Sequence, residues 1–105
     1  LKATMPANEK TLQPAGIVHG GANVVLAESV ASLAANLTIN RELYRAVGQE
    51  INANHIRPVK TGLVTATAKP FHLGVTSQVW HIELVNEEGK LTCISRMTAA
   101  IIKRR

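Results

Sequence analysis

The chain predicts an α+β fold in which one long helix lies on an antiparallel sheet. Residues 22–37 are an almost wholly apolar run rich in Ala, Val and Leu, too long for a strand. Four segments rich in Val, Ile and Thr follow it, joined mostly by short connections, and one short strand precedes it. Strand, loop, helix and then four strands is the order of a helix-on-sheet layer. With 105 residues and 46% hydrophobic side chains the chain is one domain, and a disordered class is excluded.

Residues 1–5 read as a strand and 6–15, with Pro6, Asn8, Gln13 and Pro14, as a loop. His19-Gly20-Gly21 is expected to form a tight turn at positive φ. The helix should run from about Ala22 to Leu37. At about 100° per residue, its Glu28, Ser29, Ser32 and Asn36 share one sector, and Asn23 lies on the other side. A solvent face would carry several Lys and Glu; this sector carries one charge, so a subunit or a ligand is expected to cover it. Residues 40–45 are a polar connector. In the strand at 46–57, Val47, Gln49, Ile51, Ala53 and His55 are expected on one face, and Pro58 ends it. Lys60-Thr61-Gly62 turns the chain into a strand at 63–69, interrupted by Pro70. The strand at 75–85 alternates Gln78, Trp80, Ile82 and Leu84 against Val79, His81 and Glu83. A hairpin turn at 86–90 leads into the last strand, 91–102.

Composition narrows the chemistry. Cys93 is the one cysteine, so no disulfide or multi-cysteine metal site can form within the chain, and a buried thiol in a reducing cytoplasm is expected. His19, His55, His72 and His81 show no HxH or HExxH spacing, and no metal is expected. Net charge is +5, which suits nucleic acid or a phosphorylated small molecule. Tyr44, Phe71 and Trp80 are too few aromatics for single-stranded nucleic acid, and Lys103-Arg104-Arg105 reads as a solvated end. No apolar run is long enough for a membrane helix. All seven acids are glutamates, which excludes a Ser-His-Asp triad and leaves carboxylate chemistry to Glu. The chain opens in what reads as mid-strand, so an N-terminal piece of the natural protein is expected to be missing. A domain this small is also expected to pair with a subunit.

The helix start is one candidate site. The N–H groups of Gly20, Gly21 and the first turn lack intrahelical partners and carry the positive end of the dipole, a place that can stabilise an oxyanion. Glu28, a potential nucleophile or base, lies two turns on, roughly 10 Å of rise. That is far for both groups to act on one carbonyl within one chain, whereas the acid of a neighbouring subunit could meet the turn. Read alone, a lone helical glutamate such as Glu28 is more often a surface residue, and His19 either orients a substrate or caps the turn. Residues 52–58, with Arg57 for a phosphate or carboxylate, and 72–77, with Gly74, Thr76 and Ser77 as donors, are further candidates or ordinary polar strand ends.

Gln13-Pro-Ala-Gly-Ile-Val-His-Gly-Gly21 followed by Val25-Leu-Ala-Glu-Ser29 resembles the signature of hotdog-fold acyl-CoA thioesterases. Ile51-Asn-Ala-Asn-His-Ile-Arg-Pro58, Pro70-Phe-His-Leu-Gly74 and Gln78-Val-Trp80 extend the likeness over nearly the whole chain. It is closest to the phenylacetate-degradation and 4-hydroxybenzoyl-CoA (Arthrobacter-type) branch, in particular to the 1,4-dihydroxy-2-naphthoyl-CoA and enterobactin-proofreading thioesterases. The resemblance implies a hotdog fold, a long helix wrapped by a curved antiparallel sheet. It also implies homodimers with sites at the subunit interface, commonly paired into homotetramers, and a CoA thioester as substrate with no cofactor. Carried over by motif, Glu28 is the catalytic carboxylate, the Gly20 N–H polarises the thioester carbonyl, and Gln13 and His19 orient it. Ser32, Leu33 and Ser29 line the acyl or water side. Gly48, His55, Ile56, Arg57 and Pro58, with His72, Leu73, Gly74, Val75, Thr76 and Ser77, take CoA-contacting positions. The branch's N-terminal helix and part of its first strand, which cover the acyl pocket, have no counterpart in this chain. Thr38 to Val47 matches poorly, and Val75-Thr76 replaces a more polar pair.

Overall fold

The computed structural model describes all 105 residues. Its elements are β1 (Lys2–Pro6), α1 (Gly20–Leu37), β2 (Tyr44–His55), β3 (Leu63–Leu73), β4 (Ser77–Val85) and β5 (Leu91–Lys103). The five strands form one sheet in the order β1-β3-β4-β5-β2, every neighbouring pair antiparallel. The sheet curls around α1, which touches all five strands, and this is the helix-in-sheet architecture that the sequence predicts. No helix is long and apolar enough to cross a membrane.

Small side chains seat the helix. Ala27, Ala31 and Ala35 are fully buried, and they share one core with Val30, Val64, Ile82, Leu84 and Met97. Alanine leaves the helix backbone close to the sheet while keeping helix propensity high. The opposite stripe, Val25, Ser29, Leu33 and Leu37 at i, i+4 spacing, is open in the single chain. The molecule measures 45 × 23 × 18 Å with a radius of gyration of 14.4 Å. A compact domain of this length would have about 13 Å, so the single chain is an elongated slab with one helix face uncovered.

Four local expectations change. The helix begins at Gly20 rather than Ala22, and Gly20 and Gly21 are helical; positive φ occurs only at Gly16, Gly62 and Gly89. His19 terminates the helix from an extended conformation, its Nδ1 accepting the Gly21 N–H at 3.0 Å, so the turn is a side-chain cap and needs no left-handed residue. Pro70 does not end β3, which continues to Leu73 with a register shift between Pro70 and His72 that absorbs the missing N–H. In β2 a register shift between Gly48 and Glu50 leaves Gln49 outside the ladder. That bulge reverses the alternation. Gly48 pairs with the buried Ala99, and beyond the bulge Ile51, Ala53 and His55 pair with the buried Met97, Ser95 and Cys93. Gly48 and His55 therefore both face the helix, although seven positions of unbroken strand would put them on opposite faces.

Two polar devices fix the C-terminal half of the helix. Asn36, grouped by sequence with the polar sector, turns inward: its Oδ1 accepts the Ala46 N–H at 2.9 Å and its Nδ2 donates to the Ala46 carbonyl at 3.1 Å. A side-chain amide so imitates a strand partner at the start of β2. The buried Trp80 Nε1 donates to Gln78 Oε1, Gln78 Nε2 donates to Thr38 Oγ1, and Thr38 closes on the Ala35 carbonyl at the helix end.

Candidate active site

At the N-terminal end of α1 the loop before the helix, the end of β2 and the segment after it enclose a cleft of about 500 Å³. Its lining brings together Gln13, Gly20, His55, Ile56, Arg57 and Pro58, all singled out from sequence, with Ile17, Val18, Asn23 and Val59. Gln13 is held by a tight loop: its N–H donates to the Ile17 carbonyl, and Gly16 donates back to the Gln13 carbonyl from φ +82°. Val18 and the Val59 carbonyl tie the two walls at 2.7 Å. Arg57 anchors one guanidinium nitrogen, Nη1, on the Leu91 carbonyl at 2.9 Å. The lining holds no acid, so the cleft suits an anionic or carbonyl-bearing ligand.

Asn23 is the residue that sequence reasoning missed here. It is buried, its Nδ2 reaches His55 Nδ1 at 3.4 Å, and its Oδ1 has no partner. The signal was present as the one polar side chain on the apolar side of the helix. The His55 ring packs over Gly20; a Cβ added there would lie 3.0 Å from Nε2. Glycine at position 20 thus allows the close approach of the ring, and its backbone dihedrals are ordinary helical ones.

Glu28 lies outside that cleft. Its carboxylate rests on Gly48, where a Cβ would come within 2.6 Å of Oε2, and beside Met97. Ser32, one turn on, donates to Met97 Sδ at 3.6 Å. Glu28, Gly48, Ser32 and Met97 form a second cluster, in which Met97 has no distinguishing sequence signal. Ser29 and Leu33 lie on the open helix stripe beside it. His72 to Ser77 form the β3–β4 tip, where the Gly74 N–H donates to the Ser77 carbonyl, and Val75 is 89% exposed.

The two clusters are set apart along β2 and β5. His55 pairs with Cys93, whereas Gly48 pairs with Ala99 and Ser77 with Ala100. Seven residues of β5 between Cys93 and Ala100 span roughly 24 Å. Within one chain the structure unites Gln13, Gly20 and His55 to Pro58, with His19 capping alongside. It leaves Glu28, Ser32 and Gly48 further along the sheet, and the 72–77 tip beyond them. No three His, Cys, Asp or Glu side chains converge in a way that could hold a metal ion.

Comparison with known proteins identifies the family. The family model described as "Thioesterase superfamily" matches residues 15–93. The chain is 52% identical over 102 residues to the 1,4-dihydroxy-2-naphthoyl-CoA hydrolase of Escherichia coli, covering 97% of this chain and 74% of that protein. A crystal structure of a thioesterase from Haemophilus influenzae superposes with a TM-score of 0.94 at 50% identity, over 97% of this chain and 71% of that one. A Staphylococcus aureus thioesterase was solved in a form with a glutamine replaced by alanine (TM-score 0.93, 39% identity, 96% and 84% covered). The same protein was solved with a glutamate replaced instead (TM-score 0.95, 39% identity, 98% and 85% covered). A family match over most of the chain, relatives at half identity and superposition along nearly its full length converge: the chain belongs to the thioesterase superfamily and is a thioester hydrolase on the hotdog fold.

Proposed function

We propose that the chain hydrolyses an aryl- or medium-chain acyl-CoA to the free acid and CoA, within the 4-hydroxybenzoyl-CoA (Arthrobacter-type) branch and in the cytoplasm. One observation carries the reading. Glu28, the only acid on the helix, is held half-buried against Gly48 with no hydrogen bond or ion pair to any other residue. A carboxylate placed so and left unengaged is free to act as nucleophile or base. In the Staphylococcus aureus relative the replaced glutamine and glutamate lie fifteen positions apart, the separation of Gln13 and Glu28. An aryl acyl group accords with the name of the Escherichia coli relative.

The site is shared between two copies. β2 is an edge strand with its outer side unpaired from Val47 onward, and an open edge is a template for a second strand. Antiparallel pairing of two β2 strands about Ile51 and Asn52 sets the His55 end of one copy against Gly48 of the other. The cleft then meets the second copy's Glu28. The apolar stripe Val25, Leu33 and Leu37 offers surface on which two such dimers join. In the assembled site the thioester oxygen accepts the Gly20 N–H, and Gln13 and His19 flank the carbonyl. Glu28 of the second copy attacks the carbonyl carbon or takes a proton from an attacking water. The C–S bond breaks, CoA leaves as its thiol, and water supplies the hydroxyl of the acid. Arg57 holds CoA's anionic groups, with His55, Ile56 and Pro58 beside it. The 72–77 tip, with His72, Leu73, Gly74, Val75, Thr76 and Ser77, contributes further CoA contacts. Ser32, Leu33 and Ser29 line the acyl or water side.

Thiol release from benzoyl-, naphthoyl- and octanoyl-CoA tests the reading. Glu28→Ala is expected to lower kcat by about 10²–10⁴-fold with the circular dichroism spectrum unchanged. Equal turnover by the variant would refute the mechanism. Tight binding of acyl-CoA by wild type without thiol release would instead indicate a binding module.

A further inference from the structure

We infer that His55 is a second donor to the thioester carbonyl oxygen and that Asn23 is the residue that positions it. The inference rests on the reading that this carbonyl docks at the Gly20 N–H. The resemblance puts His55 among CoA contacts; its geometry in the fold suggests another task. An amide nitrogen can only donate, so the contact of Asn23 Nδ2 with His55 Nδ1 at 3.4 Å makes Nδ1 the acceptor. The neutral ring then carries its proton on Nε2. That nitrogen lies 3.0 Å from where a Gly20 Cβ would be. A Cβ sits about 2.5 Å from its own backbone nitrogen, so His55 Nε2 and the Gly20 nitrogen are no more than about 5.5 Å apart. Two donors that share one oxygen at about 2.9 Å each can be up to about 5.8 Å apart. The separation allows a single oxygen to take both, and both groups line the same cleft.

Asn23 bears the mark of a functional placement. It is 6% exposed, and its Oδ1 is buried with no partner. An apolar side chain would fill this place without an orphaned acceptor, so packing alone does not account for it. What the amide gains is control of the ring: it fixes which nitrogen bears the proton and holds that nitrogen over Gly20. The β2 bulge completes the arrangement by turning His55 inward.

The test separates a carbonyl donor from a CoA contact. In steady-state kinetics on benzoyl-CoA with the full chain, His55→Ala is expected to lower kcat about 10²–10³-fold while KM changes little. His55→Gln, whose amide N–H can reach the Nε2 position, should recover about tenfold or more of that loss. Asn23→Leu should lower kcat by about tenfold, as loss of an orienting partner does. In ¹⁵N spectra of wild type, His55 should give the Nε2–H tautomer signature, and Asn23→Leu should shift it toward a mixture. A His55→Ala effect confined to KM, or a wild-type ring protonated on Nδ1, overturns the inference while leaving the proposed activity intact. Absence of thiol release from every acyl-CoA by wild type overturns both, and this outcome is recognisable because it precedes any variant.

Discussion

Single side chains decide this site by how closely the backbone lets them approach. Gly48 is the sharpest case, because its missing Cβ is the space that the Glu28 carboxylate occupies. Gly48→Ala would force that carboxylate to move, and it is expected to lower kcat by about tenfold or more, a sub-ångström displacement from reacting geometry being enough. Steady-state kinetics beside a thermal melt would check it, the melt shifting little. Sequence singled out both residues but gave no reason to join them, since their contact crosses from helix to strand. Cys93, the β5 partner of His55, is fully buried. Burial pushes its thiol above the ordinary value of 9.0, and a backbone hydrogen bond involving Asn54 only partly offsets this. The unfolded chain therefore releases this proton at a lower pH than the folded one. The stability this group contributes is complete below pH 9 and falls as pH rises from there toward the folded value. Denaturant midpoints from pH 7 to 10 should decline above 9 in wild type and less steeply in Cys93→Ala.

Elements carry information that periodicity alone blurs. The helix, the β4 alternation and the 86–90 hairpin were legible, because each follows from a local pattern: apolar content over sixteen residues, strict period two, and Asn86 with Gly89 in one turn. In the hairpin Asn86 Oδ1 accepts from the Glu88 and Lys90 N–H groups, and Gly89 takes φ +79°. The β2 faces were not legible, because a bulge depends on the partner strand and only the pairing with β5 reveals it. The helix start differs for a related reason: paired glycines suggest positive φ, yet the His19 side chain caps the helix and the two glycines lie against the His55 and His19 rings. Asn36 was read as part of a polar face, whereas it closes the start of β2 through two bonds to Ala46. Asn36→Leu would leave both Ala46 groups unpaired near the core. It is expected to destabilise the fold by about 1–3 kcal/mol, measurable as a lower urea midpoint with an unchanged m-value.

For the whole molecule, the decisive fact is that the Glu28 carboxylate lies two helical turns from the cleft, too far along α1 for both to act on one carbonyl within the chain. The likeness to known thioesterases carried the site residues from sequence, but their division into two clusters is a property of topology and could be read only from the strand registers. If two copies complete each site, inactive Gln13→Ala and Glu28→Ala chains should rescue one another. After mixing, unfolding and refolding together, thiol release should return to about a quarter of wild type, from half of the dimers carrying one intact site in two; no rescue would show that each chain works alone. The same division has a genetic corollary. A chain altered at only one end still completes one site with a normal partner, so such an allele is recessive or nearly so. A chain altered at both ends spoils both sites of every mixed dimer it enters, so at equal expression it leaves about a quarter of the activity, against about half for an allele altered at one end.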